Sequence, residues 1–164
     1  MEKECTLGSD GTVMIFVDAD ASPVNNIVIE EAQKEGLPVK LVKSINHFSH
    51  DEKQPGVETI YVDAGADAAD YRITGLVARG DIVITQDYGL ASLCLAKGCY
   101  VLHHKGFAYT ADNIDRLLTM RHAGAKARRA GYKTKGPKAL TDEDKNTFRR
   151  LLVQTIKRAD QREE

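Results

Sequence analysis

The sequence predicts an α/β domain: a mostly parallel sheet of about five strands, covered by helices on both faces. Three observations carry that reading. Short apolar runs such as Met14-Ile15-Phe16-Val17 and Asp81-Ile-Val-Ile-Thr85 are almost uninterrupted by polar residues, as in strands buried on both sides. Segments with helical spacing alternate with them. Glycines at 36, 80 and 98 stop those segments. At 164 residues the chain fits one domain, with enough length to bury a proper core.

Taken in order, Met14–Val17 is the first strand, and Val24–Lys34 follows as a helix with Val24, Ile27, Val28 and Ala32 at helical spacing. Leu37–Val42 is the second strand. Lys43–Gly56 is polar and reads as a long loop carrying His47 and His50. Val57–Val62 is the third strand. Ala66–Arg79 is a helix with Ile73, Leu76 and Val77 inward, and Asp81–Thr85 is the fourth strand. Tyr88–Lys97 returns as a helix and Cys99–Leu102 is the fifth strand. Gly106–Thr110 reads as a turn, after which Thr110–Asn113 opens a helix bearing Ile114, Leu117, Leu118 and Met120. From Arg116 to Thr141 there is no acid, and Gly124, Gly131, Gly136 and Pro137 break the stretch, so 121–139 is expected to be a mobile basic arm. Thr141, with acids at 142–144, starts the final helix, and Phe148, Leu151, Leu152 and Ile156 form its apolar face. Residues 1–12 read as a disordered lead, 13–158 as the domain and 159–164 as a polar tail.

Composition excludes several classes. Lys plus Arg total 23 and Asp plus Glu 24, so overall charge names no partner. No stretch approaches the roughly 18 apolar residues of a membrane span, and no signal peptide opens the chain, so a cytoplasmic location is expected. Cys5, Cys94 and Cys99 are odd in number and lack CxxC spacing, which suggests neither a disulfide framework nor a zinc site.

The chemistry gathers at strand ends. Asp18 and Asp20 follow the first strand, Asp67 and Asp70 begin the helix after the third, and Asp87 follows the fourth. In a right-handed parallel sheet all of these fall on the carboxyl edge, where open α/β sheets bind ligands. Helix capping by Asp18 and Asp20 explains one acid well and two poorly. Asp67 and Asp70 share a helix face, and they also suit the first-turn dipole. If the first and fourth strands are neighbours, the carboxylates would repel one another and raise some pKa values. A hard cation, Mg²⁺ or Mn²⁺, relieves such repulsion. That predicts metal-assisted attack of water on a phosphodiester. Ser22, Asn25, Thr85 and Gln86 are expected to support the metal site or position substrate, and His103 with His104 ends the fifth strand on the same edge. Arg121, Lys126, Arg128, Arg129, Lys133, Lys135 and Lys138 are the candidate contacts to a nucleic-acid backbone.

Five separated motifs, VDADASPV, GADAADYRI, VITQDYGLA, GFAYTADNIDRLLTMR and GPKALTDEDKNTFRRLL, together resemble the bacterial YaiI/YqxD family, which is regarded as related to PIN-domain nucleases. The likeness runs from Met14 to Ile156. It implies a PIN-like three-layer α/β/α sandwich with a C-terminal helical extension, and an acidic cluster that binds Mg²⁺ or Mn²⁺ and cleaves RNA. Carried over by position, Asp18, Asp67, Asp70 and Asp87 would be the catalytic, metal-binding acids, with Asp20 a family residue of unassigned role. Two departures stand out. The further acid that many PIN nucleases carry in a helical insertion has no clear counterpart here. Ser22 also replaces the cysteine common in DADACPV, so thiol chemistry is not expected.

Two other readings compete. A non-catalytic nucleic-acid-binding module on the same fold would explain the basic arm, but not acids on an anion-facing edge. A haloacid-dehalogenase-like phosphatase would use Asp18 as nucleophile and Asp20 as acid/base, with Thr85 at phosphate. That chemistry also wants a later Lys and a downstream acidic pair, where this chain has His103-His104.

Overall fold

The apolar runs form the centre of a six-stranded sheet. The computed structural model describes residues 12–20, 22–45, 54–65, 68–131 and 139–161, with backbone alone at 121–125, 127–129 and 161. The strands are β1 (Ile15–Asp18), β2 (Val39–Ser44), β3 (Val57–Val62), β4 (Ile82–Ile84), β5 (Tyr100–His103) and β6 (Phe107–Ala108). The helices are α1 (Asn25–Glu35), α2 (Ala68–Leu76), α3 (Tyr88–Ala96), α4 (Ala111–Arg129) and α5 (Asp142–Gln161). Strand order is β3-β2-β1-β4-β5-β6, with β6 antiparallel to β5 and every other pairing parallel. The order turns back between β1 and β4, whose register sets Ile15 beside Ile82 and Val17 beside Ile84.

Alternation along each strand divides the core into two layers. Ile15, Val17, Ile82 and Ile84 pack with Ile27, Val28 and Ala32 of α1 and with Phe148, Leu152 and Ile156 of α5. On the opposite face Phe16 and Val83 pack with Ile73 and Val77, with Leu90, Ala91 and Cys94 of α3, and with Ile114 of α4. The result is an α/β/α sandwich compatible with a PIN-like one.

Local signals explain the boundaries. Gly36 ends α1 in the left-handed region at φ 69°, and the Leu37 N–H donates to Ala32 O at 2.9 Å, the closing bond of a Schellman turn. Thr110 and Asn113 cap α4 reciprocally, each side chain accepting the other's N–H, at 3.1 and 2.9 Å. Thr141 and Asp144 do the same for α5.

Two expectations differ from what is observed. The stretch read as a turn contains β6, two residues long; Phe107 and Ala108 pair with His103 and Leu102, a long-range match with no local periodicity to announce it. Gly124 does not break the chain, because α4 runs through it to Arg129. One interior glycine costs a helix only about 1 kcal/mol against alanine. The first nine residues of the expected arm are therefore helical (Arg121–Arg129), whereas Lys133, Lys135 and Lys138 lie outside the described residues, as do His47, His50, residues 1–11 of the lead and residues 162–164 of the polar tail. Among the described residues no helix is long and apolar enough to cross a membrane.

Candidate functional site

The turn-back between β1 and β4 sends their following helices to opposite faces, α1 to one and α3 to the other. Chain ends diverging this way leave a crevice at the carboxyl edge. Asp18 closes β1 at its rim. Asp18, Gln86, Asp87 and Tyr88 line an open cleft of about 380 Å³.

Thr85 organises this cleft. Its side chain is buried, its N–H donates to Leu102 O at 3.0 Å, and its carbonyl accepts from the Tyr109 hydroxyl at 3.2 Å. The hydroxyl, held in place by those anchors, donates to Asp18 Oδ2 at 3.1 Å and accepts from the Asp87 N–H at 3.0 Å. Asp87 in turn caps α3, its Oδ1 accepting from the N–H groups of Gly89 (2.8 Å) and Leu90 (3.1 Å). One carboxylate is thus fixed by a hydroxyl and the other by a helix start.

Burial raises the Asp18 pKa above the ordinary carboxylate value; the Thr85 hydrogen bond opposes the shift, and the charges of Asp87 and Asp20 add to it. The mutual repulsion expected from the strand ends is therefore present between Asp18 and its two acidic neighbours. Asp20 makes a specific contact of its own: both carboxylate oxygens accept from the Ser44 N–H, at 2.9 and 3.0 Å, which ties the turn after β1 to the end of β2. Neither Asp18 nor Asp20 caps α1. The cap position is Val24, without a side-chain hydrogen bond, and Ser22 Oγ accepts the Val24 N–H at 3.4 Å.

The other expected residues distribute around this centre. Gln86 meets His104, Oε1 to Nε2, at 3.0 Å. His103 is buried, stacked between His104 (centroids 4.4 Å apart) and Phe107 (4.6 Å), with Nδ1 accepting from the Lys105 N–H at 3.0 Å. Burial, then the neighbouring His104 and Lys105, lowers the His103 pKa to about 4, so the ring is neutral at pH 7. Burial and Lys105 lower that of His104 as well. His104, not His103, therefore reaches the cleft through Gln86. Adjacency in sequence could not separate the two, because the choice depends on how β5 turns into β6. Tyr88 is the cleft-lining residue that sequence patterns missed; it packs edge-on to Tyr109 at 5.9 Å. Asn25 Oδ1, at the start of α1, is buried with no hydrogen-bond partner among the described residues. Asp70 lines the adjoining cleft, which it shares with Asp87. Asp67 lies outside the described residues. Lys126 is exposed on α4.

Among the described residues, no three His, Cys, Asp or Glu side chains form a group that could hold a metal. Asp18 and Asp87 still make a fitting donor pair. Mg²⁺ typically keeps several waters and uses one or two carboxylates plus substrate phosphate, and two carboxylates lining one cleft match that demand.

A six-stranded α/β sandwich with a carboxylate cleft at its switch point is the class this architecture defines. The chain belongs to the bacterial family described as uncharacterised, YaiI/YqxD, which matches residues 16–158. It is 61% identical over 142 residues to a UPF0178 protein of Oceanobacillus iheyensis, covering 87% of this chain and 97% of that relative. It is 59% identical over 144 residues to a UPF0178 protein of Bacillus cereus strain AH187, covering 88% and 99%. A third, of Bacillus thuringiensis subsp. konkukian, is 58% identical over 142 residues, covering 87% and 97%. No solved structure matches the chain.

Proposed function

We infer that the protein is a divalent-metal-dependent nuclease of PIN-like type, hydrolysing phosphodiesters with RNA as the favoured substrate. The observation that carries this reading is the Asp18–Thr85–Asp87 arrangement, two carboxylates on one cleft at the switch point, with one hydroxyl bonded to the Asp18 carboxylate and to the Asp87 backbone N–H. Asp18 and Asp87 would hold Mg²⁺ or Mn²⁺, with Asp70 of the adjoining cleft and, by the family resemblance, Asp67 as further acids. A bound ion of this kind polarises the phosphoryl oxygen and lowers the pKa of the attacking water.

The chain's own groups do the rest. Thr85 orients the Asp18 carboxylate and keeps it ionisable against the cost of burial. The first turn of α3 adds a partial positive charge beside Asp87. Gln86, steadied by neutral His104, stands at the cleft wall to contact substrate. Lys126 and the basic residues around and beyond it in sequence (Arg121, Arg128, Arg129, Lys133, Lys135 and Lys138) supply phosphate contacts.

Calorimetric titration of Mn²⁺ and Mg²⁺ into wild type and Asp18→Asn, followed by incubation with single-stranded RNA and DNA, tests the proposal. We expect wild type to bind metal, the variant to bind at least about tenfold more weakly, and RNA cleavage to require metal. Metal binding without cleavage would point to a different phosphate substrate. No binding at millimolar metal would make the carboxylates structural, and RNA binding unchanged by chelator would then identify a non-catalytic module.

A further inference from the structure

Beside the carboxylate cleft lies a second one, about 550 Å³ and open, between α2 and α3. Asp70, Tyr71 and Thr74 form one wall; Gly89, Ser92 and Leu93 form the other, and Asp87 is common to both clefts. Two of the exposed large hydrophobic side chains of the described residues meet here: Tyr71 is 86% exposed and Leu93 52%. By contrast Tyr109 is buried and Tyr88 packs against it.

The polar chemistry of this cleft is one-sided. The Thr74 hydroxyl donates to Asp70 O at 2.8 Å, and that of Ser92 donates to Gly89 O at 2.8 Å. Both hydroxyls have thus given their proton to their own helix and face the cleft as acceptors. Asp70 and Asp87 are acceptors when ionised. Apart from the Tyr71 hydroxyl, the side chains offer a ligand only acceptors, an aromatic ring and aliphatic surface. Phosphate is repelled from such a site. A flat, uncharged ring bearing N–H donors is favoured by every feature of it.

We propose that the α2–α3 cleft binds an unpaired nucleobase bearing an exocyclic amino group, stacked on Tyr71 with its amine directed to Asp70. The inference rests on the nuclease reading, because Asp87 joins this cleft to the one assigned to the phosphodiester. A single strand would lay its phosphate against Asp18 and Asp87 and its neighbouring base against Tyr71. Base–aromatic stacking is the usual means of gripping a single strand, and a carboxylate reads an exocyclic amine by accepting its proton. The cleft therefore selects single strands over duplexes, whose bases are stacked away, and cytosine over uracil.

The chain contains no tryptophan, so Tyr71→Trp places a single indole reporter in the cleft. Its fluorescence is followed on adding pentacytidylate, pentauridylate, an abasic pentamer or tetralysine, with Ca²⁺ in place of Mg²⁺ or Mn²⁺ so that a cation offsets the acids facing the phosphate. Pentacytidylate should quench the indole and bind about fivefold tighter than pentauridylate, and the abasic pentamer should not quench. Adding Asp70→Asn should erase the cytidine preference. In otherwise wild-type protein, Tyr71→Ala should weaken pentacytidylate binding about tenfold by anisotropy. Equal binding of abasic and base-bearing pentamers, or no quenching by any oligonucleotide, overturns the proposal; quenching by tetralysine alone assigns the cleft to a basic peptide instead. Quenching without metal-dependent cleavage would sink the nuclease reading and leave the base site standing. Metal-dependent cleavage without quenching would do the reverse.

Discussion

Thr85 shows how much one side chain can decide. Its hydroxyl is at once donor to Asp18 and acceptor for Asp87, and its backbone is tied to β5 and Tyr109. Thr85→Val keeps the shape but removes both bonds, leaving the Asp87 N–H unpartnered by that hydroxyl. We expect the Asp18 carboxyl to titrate higher than in wild type, read by carbon NMR of the side chain, because the one stabilising partner opposing burial is gone. Metal affinity should fall about tenfold, as it does when groups behind a metal ligand are lost. Stability should drop by about 1–2 kcal/mol. Unchanged metal affinity in a folded variant would place the ion away from Asp18.

At the scale of elements, α5 is the clearest case of a helix specified twice, by its cap and by its apolar face. Thr141 and Asp144 close its start, and Phe148, Leu152 and Ile156 bury its inner stripe. A charged contact fixes its placement on α1. Arg149 donates to Glu30 Oε1 at 2.9 Å and to Glu31 Oε2, and Glu31 is buried. Burial alone would raise the Glu31 pKa, but hydrogen bonds from Arg149 and Lys34 outweigh it and hold the carboxyl below its ordinary value. Arg149→Ala leaves Glu31 with Lys34 alone. Losing one partner of a buried pair costs up to about 5 kcal/mol, but Arg149 is itself partly exposed, so a loss of about 2 kcal/mol in urea unfolding is expected. A loss below about 0.5 kcal/mol would show that α5 docks on apolar contacts alone.

Across the whole molecule, buried acids set how stability answers to pH. Asp81, 1% exposed at the entry to β4, accepts from the N–H of Met14 (3.2 Å) and of Ala78 (2.9 Å). Burial outweighs those bonds and raises its pKa from 3.8 to about 6. The folded protein therefore holds a proton that the unfolded chain has already released. Its contribution is complete below about pH 4 and lost as pH rises through about 6, about 3 kcal/mol in all. Glu31, shifted the other way, contributes stability above its ordinary pKa that is lost on acidification. Asp18 has the same sign as Asp81, so the Asp81 share is the difference between wild type and Asp81→Asn. Urea unfolding from pH 4 to 7 should show a downward slope in wild type that is visibly flatter in the variant. Parallel curves would mean that Asp81 is ionised throughout.

The sequence by itself determined the class of fold, the parallel strands and the capped helices, because these follow from short-range periodicity and local hydrogen bonding. It also marked Asp18, directly after an apolar run, and Asp87, three residues after another, since such placing is visible in one dimension. Only the tertiary structure decided that β1 and β4 are neighbours, that Thr85 bonds Asp18 across 67 positions, and that Asp20 clamps Ser44. The same holds for β6, whose two residues pair by proximity to β5, and for Asp81, which looked like an ordinary first residue of a strand. That His104 and not His103 meets the cleft-lining Gln86 was set by a strand end, not by a spacing. In each of these cases the partner lies far along the chain or beyond a turn. Periodicity reports which face a residue takes within its own element, and only packing determines what that face meets.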